Sequence, residues 1–264
     1  MPTLPHNIAS FFKHAGNYLK AAQKAEPGHT QAIRAKYARD FLTDIGITYE
    51  GPTQQEIQNI GPCIYVANHN STLDAVIICA FFEGDLRILA KESLFKIPYL
   101  GKILRLENHI MVHRGKNASS RNTYIRESIQ KAIHDKASVL FFPEGTRSKD
   151  GNLADFKLGA FYNAIQTHVP VVPVLITGTF EAMPKTTLKI KPTKCTLKLL
   201  APIELPNENQ GDEKTRAQLL ADNAKNAILK AINENKAQTN HHAESTTEEN
   251  GPKESIECRS DDPK

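Results

Sequence analysis

Apolar residues recur at helical spacing through the first fifty positions. Ile8, Phe11, Phe12, Ala15, Tyr18, Leu19 and Ala22 form one stripe, with Lys13, Lys20 and Lys24 outside it. Gly28 and its neighbours break the pattern, and Ile33, Tyr37, Phe41, Leu42 and Ile45 resume it as a second helix. Such an amphipathic pair suits either of two fates: packing on a core, or lying in a membrane interface with lysines toward lipid phosphates.

Beyond Gly51 the period alternates between two and 3.6. Short apolar runs at Cys63–Ala67, Leu86–Ala90, Ile110–Val112, Ser138–Phe142, Val169–Ile176 and Cys195–Leu200 predict strands. Helical stretches at Leu73–Phe82, Ser119–Asp135, Gly159–Thr167 and Thr215–Asn233 separate them. Strands alternating with helices of this length predict an α/β fold: a mostly parallel mixed sheet flanked by helices and preceded by the N-terminal helical pair. The predicted organisation is three-part, with helices over 1–50, an α/β domain over 51–235 and a tail over 236–264. Ligands of such sheets bind where strands end and loops begin.

Composition changes this picture little. The chain has 264 residues, 40% of them hydrophobic and 23% charged, enough apolar material for a core. The longest apolar run, Ala75–Phe82, is far short of the roughly 18 residues needed to span a bilayer. No secretory-type leader is evident at the N-terminus. Charge is more informative. The net charge is +4, but from Lys236 onward four basic residues face seven acidic ones, so the tail is −3 and the body +7. The tail has almost no large apolar residue and is predicted to be disordered. A basic body suits an anionic partner. Four scattered cysteines without C-x-x-C spacing suit a reducing compartment better than a zinc site or disulfide scaffold.

Two constellations carry chemistry. Asn68-His69-Asn70-Ser71-Thr72-Leu73-Asp74 follows the first buried-looking strand. On a continuous helix, residues five apart diverge by about 140°. They meet only if His69 sits in the turn and Asp74 in the first helical turn behind it. Ser71 followed by Asp74 has the form of a capping box that would start the helix there. Asp74 could then accept from one imidazole nitrogen and leave the other free to take a proton. The second constellation is Phe142-Pro143-Glu144-Gly145-Thr146-Arg147-Ser148, also at a strand's end. Arg147 offers a donor fork suited to phosphate, and Glu144 can accept from hydroxyls. The bland alternative is that Glu144 and Arg147 pair with each other across the turn.

Together these segments resemble the glycerolipid acyltransferase family, specifically lysophosphatidate (1-acylglycerol-3-phosphate) acyltransferases. Asn68-His69 through Asp74 matches its N-H-x-x-x-x-D block, and Phe142 to Ser148 matches its F-P-E-G-T-R-S block. Phe156-Lys157-x-Gly159 and Val169–Val174 resemble the blocks that follow. Lys91 lies in a further similar stretch, and Ile110–Arg114 sits where the family has an apolar strand ending in arginine, with His113 in place of a commoner acidic residue. The resemblance covers about Gly61 to Thr177 with all blocks in order.

It implies that His69 is the general base on the sn-2 hydroxyl of lysophosphatidate, oriented by Asp74. Acyl-CoA or acyl-carrier protein would supply the thioester, and phosphatidate would be the product. It further implies that Glu144, Gly145, Thr146, Arg147, Arg114, Lys91 and Lys157 hold the acceptor, with no cofactor and no metal. Attachment is expected to be peripheral, on an anionic membrane surface at the cytoplasmic face. Other acceptors (another lysophospholipid, or glycerol 3-phosphate) remain open, as do a thioester hydrolase and a non-catalytic membrane-binding protein on the same fold. His109 and His113 are four apart but lack a third ligand nearby. No serine-hydrolase elbow, P-loop or basic-aromatic nucleic-acid motif is present.

Overall fold

The computed structural model describes residues 3–26, 29–113 and 118–248. In chain order the elements are α1 (Leu4–Ala22), α2 (Thr30–Asp44), β1 (Ile47–Glu50), α3 (Gln54–Ile60), β2 (Ile64–Ala67), α4 (Leu73–Phe81), β3 (Leu86–Lys91), a 3-10 turn at Glu92–Lys96 and α5 (Leu100–Leu106). Then follow β4 (Ile110–Val112), α6 (Ala118–His134), β5 (Ser138–Phe141), α7 (Gly159–Thr167), β6 (Val171–Thr177), α8 (Thr179–Ala182), β7 (Thr193–Leu199) and α9 (Glu213–Glu248). The chain divides into a unit of residues 1–229, which holds the sheet, and one of residues 230–264.

All six predicted strands and all four predicted helices of the α/β segment form. The seven strands run in the order β1-β7-β6-β2-β5-β3-β4, parallel throughout except for the β6–β7 pair. At the centre β2 pairs with both β5 and β6. The pleat explains the two-sided burial. In β2, Tyr65 and Ala67 face one core with α2 and α4, while Ile64 and Val66 face the other with α6, α7 and α9. The chain leaves β2 through α4 for β3, and leaves β5 through α7 for β6. α4 packs in the first core and α7 in the second, so these connections pass over opposite faces of the sheet, and the crevice between the strands' carboxyl ends is where such a sheet binds ligands.

The boundary predicted at residue 51 moves. β1 precedes it and pairs in register with β7. α2 packs on α4, and Leu42, Ile45 and Ile47 are fully or almost fully buried in the first core. Each such side chain contributes about 1.5–3 kcal/mol, so α2 is a core helix rather than a separable anchor.

The single apolar stripe predicted for α1 is split. Ala15, Tyr18 and Ala22 turn inward together with Asn7, Ser10 and His14, whereas Ile8 and Phe12 are exposed at 47% and 41%. Ser10, His14 and Tyr18 can face inward because partners await them. The carboxylate of Asp44, at the end of α2, accepts from Ser10 Oγ at 3.2 Å and Lys13 Nζ at 3.0 Å, and lies 2.7 Å from His14 Nε2. Tyr18 donates to Glu107, which also receives Arg34 Nη1 at 2.5 Å.

The sequence also predicts disorder from Lys236, but α9 continues to Glu248. Residues 236–248 contain neither Gly nor Pro, and extending an existing helix adds a hydrogen bond for each residue ordered.

Candidate active site

Three loops leave the carboxyl ends of the adjacent strands β6, β2 and β5, and the site is built from all three. The β2 loop carries His69. Its Nδ1 lies 2.8 Å from Asp74 Oδ2, and the same oxygen accepts the backbone N–H groups of Asn70 at 2.7 Å and Ser71 at 2.8 Å. A carboxylate can only accept, so His69 Nδ1 carries the hydrogen and Nε2 is left as the basic nitrogen. The imidazole stacks on Phe142 with ring centroids 4.0 Å apart, and its side chain is 21% exposed against 0% for Asp74. A buried carboxylate thus steadies a ring that still reaches solvent.

The capping box predicted at Ser71 forms only in part. Asp74 accepts from Ser71 N–H as expected, but Thr72 is the residue that precedes the helix. Ser71 Oγ instead donates to Met183 C=O at 2.7 Å, tying the start of α4 to the loop after α8.

The β5 loop locks onto the β2 loop through two hydrogen bonds to the backbone of His69. His69 N–H donates to Glu144 Oε1 at 2.7 Å, and Ser148 N–H donates to His69 C=O at 2.7 Å. Glu144 Oε2 accepts from Ala154 N–H at 3.0 Å. Glu144 is therefore buried with both oxygens engaged, and burial raises its carboxyl above the ordinary value while the two N–H donors oppose the rise. Glu144 thus braces His69 from the interior, whereas the sequence placed it among the acceptor's ligands. It does not pair with Arg147, whose Nη1 donates to Thr72 Oγ1 at 2.8 Å. Gly145, at φ 72°, makes the turn, and a Cβ built there would lie 2.6 Å from Lys157 Nζ. Gly145, Thr146, Arg147 and Lys157 thus line one accessible cationic loop beside the imidazole.

The β6 loop was not foreseen as part of the site. Thr179, fully buried, donates its hydroxyl to Asp74 Oδ1 at 2.6 Å. Asn68 acts as a strand surrogate, its amide exchanging two 2.8 Å bonds with the backbone of Ile176. Lys185 Nζ donates to Thr146 Oγ1 at 2.9 Å. The signal for these was weak: a Gly-Thr after an apolar strand and a lone Lys after Pro184 look like ordinary loop residues.

Two expected ligands are not joined to this cluster. Lys91 ends β3, its exposed side chain one strand beyond β5. Arg114 lies outside the described residues. His109 turns inward, where its Nδ1 accepts from Ile88 N–H, and burial lowers its pKa to about 3. His113 pairs with Glu92 at 3.1 Å. Among the described residues no three His, Cys, Asp or Glu side chains gather as a metal site. Burial pushes the Cys63 and Cys195 thiols up to about 12, so neither is a ready nucleophile.

The chain is also similar in sequence and fold to known proteins. Proteins named 1-acyl-sn-glycerol-3-phosphate acyltransferase are similar over the central segment. One from Limnanthes douglasii is 36% identical over 140 residues, covering 53% of this chain and 50% of the relative. One from Salmonella typhimurium is 32% identical over 134 residues, or 51% and 54%. The human beta form is 31% identical over 139 residues, or 53% and 50%. This chain thus spans about half the length of the curated relatives it matches. A solved structure described as the 1-acyl-sn-glycerophosphate (LPA) acyltransferase PlsC from Thermotoga maritima superposes with a TM-score of 0.68 at 24% identity. It covers 85% of this chain and 92% of that one, and shows a shared fold. Residues 47–177 match the family described as Acyltransferase, and this segment contains the His69–Asp74 pair and the whole Glu144–Arg147 loop. Residues 47–177, about half of the chain, thus form a domain of the acyltransferase family.

Proposed function

We propose that this protein is a 1-acylglycerol-3-phosphate O-acyltransferase, moving a fatty acyl chain from acyl-CoA or acyl-carrier protein to the sn-2 hydroxyl of lysophosphatidate. Phosphatidate, for phospholipid biosynthesis, is the product. One observation carries the reading: two hydrogen bonds to the His69 backbone, from Glu144 Oε1 as acceptor and Ser148 N–H as donor, hold the His69 loop and the Arg147 loop together, so a steadied imidazole stands beside unneutralised cations. The names of the relatives support the same acceptor. His69 Nε2 takes the hydroxyl proton as the oxygen attacks the thioester carbonyl. The new C–O bond replaces the C–S bond, and the imidazolium returns its proton to the departing thiolate. Such base assistance is worth about 10² to 10⁴ in rate, and positioning by the cationic loop contributes the rest. The chemistry uses no metal and no cofactor beyond the acyl donor.

The substrate is a membrane lipid, and the exposed side of α1 suits an interfacial contact. Ile8 and Phe12 project with Ile97 and Tyr99, and Phe12 packs edge-on against Tyr99 at 5.6 Å. A groove of about 350 Å³ beside them is lined by Lys13, Lys20 and Lys102. Among the described residues no helix is long and apolar enough to cross a membrane. An apolar ridge flanked by lysines favours peripheral attachment to an anionic surface, and the three free thiols described suit its reducing, cytoplasmic side.

The test is incubation with acyl-CoA, with and without lysophosphatidate, following thiol release and lipid product. Acceptor-dependent release with phosphatidate formation is expected, and His69→Ala should abolish it while the protein stays folded. Release without acceptor would identify a hydrolase, and no release a binding protein.

A further inference from the structure

We infer that Lys185 is a third cation of the acceptor's phosphate site and selects lysolipids with a phosphomonoester head, an inference that rests on the function proposed above.

The loop that carries it is firmly placed. Lys185 follows Met183, whose carbonyl receives Ser71 Oγ at 2.7 Å, and Pro184, whose carbonyl receives Thr187 N–H at 3.2 Å. It therefore moves with the start of α4, the element that holds Asp74 and, through it, His69. From there its ammonium reaches the β5 loop, 2.9 Å from Thr146 Oγ1 and 3.2 Å from Arg147 C=O. Lys157 Nζ approaches the same loop at Gly145.

These cations share one turn and have no counter-charge there. Some lysines elsewhere do meet carboxylates, as Lys13 meets Asp44 at 3.0 Å, Lys194 meets Glu50 at 2.7 Å and Lys225 meets Asp155 at 2.6 Å. Among the described residues no carboxylate lies within ion-pair distance of Arg147, Lys157 or Lys185. Glu144, the acidic residue of this loop, is turned inward and fully engaged. Three positive groups around one exposed turn repel one another until an anion arrives. A phosphomonoester, with close to two negative charges near neutral pH and three acceptor oxygens, fits three donors better than a singly charged diester head. The partners of Lys185 are a hydroxyl and a carbonyl, both weaker acceptors than a phosphate oxygen, so it can turn to the ligand without breaking an ion pair.

The experiment compares wild type, Lys185→Met and Lys185→Arg, varying lysophosphatidate at saturating acyl-CoA and then the reverse, with lysophosphatidylglycerol as a diester acceptor. Removal of one charge-assisted bond predicts that Lys185→Met raises KM for lysophosphatidate about tenfold. The kcat and the KM for acyl-CoA should stay within about twofold, the preference for the monoester acceptor should narrow, and Lys185→Arg should restore KM. An unchanged KM for lysophosphatidate overturns the inference. So does a fall in kcat that is equal for both acceptors, which would mark Lys185 as a strut for the loop. A rise in KM for acyl-CoA alone would assign the cation to the donor's phosphates and also overturn it. Failure of the wild type to acylate lysophosphatidate would instead refute the proposed function, and this inference with it.

Discussion

Replacement of Asp74 by asparagine separates the two roles of that carboxylate. The side chain is fully buried and collects four donors: His69 Nδ1, two backbone N–H groups on Oδ2, and the Thr179 hydroxyl on Oδ1. Asparagine can place its carbonyl oxygen at the Oδ2 position and its amide toward Thr179, whose hydroxyl rotates from donor to acceptor. Every partner is kept, but the three bonds to Oδ2 fall from charge-assisted to neutral strength, about 1 kcal/mol each. A smaller burial penalty for a neutral group offsets part of this. The net cost is about 1–3 kcal/mol, or roughly 3–10 °C in Tm for a chain of this size. Alanine instead leaves the buried N–H groups without an acceptor at about 1–3 kcal/mol each, a sum comparable to the whole stability of a domain. Asp74→Asn should therefore stay folded while kcat falls about 10² to 10⁴-fold, because a neutral amide no longer stabilises the charged imidazolium that forms as His69 takes the proton. Asp74→Ala should lose the fold. Thermal melts paired with acyl-CoA thiol release read both quantities. Asp74→Asn turning over within threefold of wild type, or melting as low as Asp74→Ala, would refute the reasoning.

Three shorter predictions concern other parts of the molecule. Gly178, at φ 81°, precedes Thr179, and a Cβ there would collide with the Lys194 carbonyl; Gly178→Ala should lower both Tm and kcat, and a variant with wild-type values in both assays would contradict the placement of Thr179. His109 is held neutral by burial, with a pKa of about 3 against 6.5 unfolded. Between these values the unfolded chain binds more protons, so stability is complete above pH 6.5 and falls as pH drops, by up to about 1.4 kcal/mol per unit from this group. His109→Asn keeps an acceptor for Ile88 N–H and should flatten the slope in urea melts taken from pH 6.5 to 4; equal slopes would contradict it. Ile8→Ser with Phe12→Ser should reduce co-sedimentation with anionic vesicles at unchanged Tm, since both side chains are exposed; undiminished pelleting would sink the interfacial role of α1.

Local patterning made much of this protein legible. The apolar runs of β2, β5 and β6 and the helices between them follow from period and length. A parallel sheet then brings the loops of adjacent strands to one edge, so the meeting of His69 with the Arg147 loop was implicit in strand order once β2 paired with β5. The five-residue spacing from His69 to Asp74 likewise defines a turn-plus-helix geometry by itself. What stayed hidden depended on partners distant in sequence. α1 turns Ser10 and His14 inward because Asp44 waits at the end of α2, which no hydrophobic periodicity encodes. Glu144 faces the interior because the N–H groups of His69 and Ala154 reach it from either side. Thr179 and Lys185 join the site only because β6 lies next to β2. Short-range periodicity determined the elements and the chemistry-bearing turns; the direction each polar side chain faces was decided by which donors and acceptors the folded chain brought within 3 Å of it, a condition set by long-range packing.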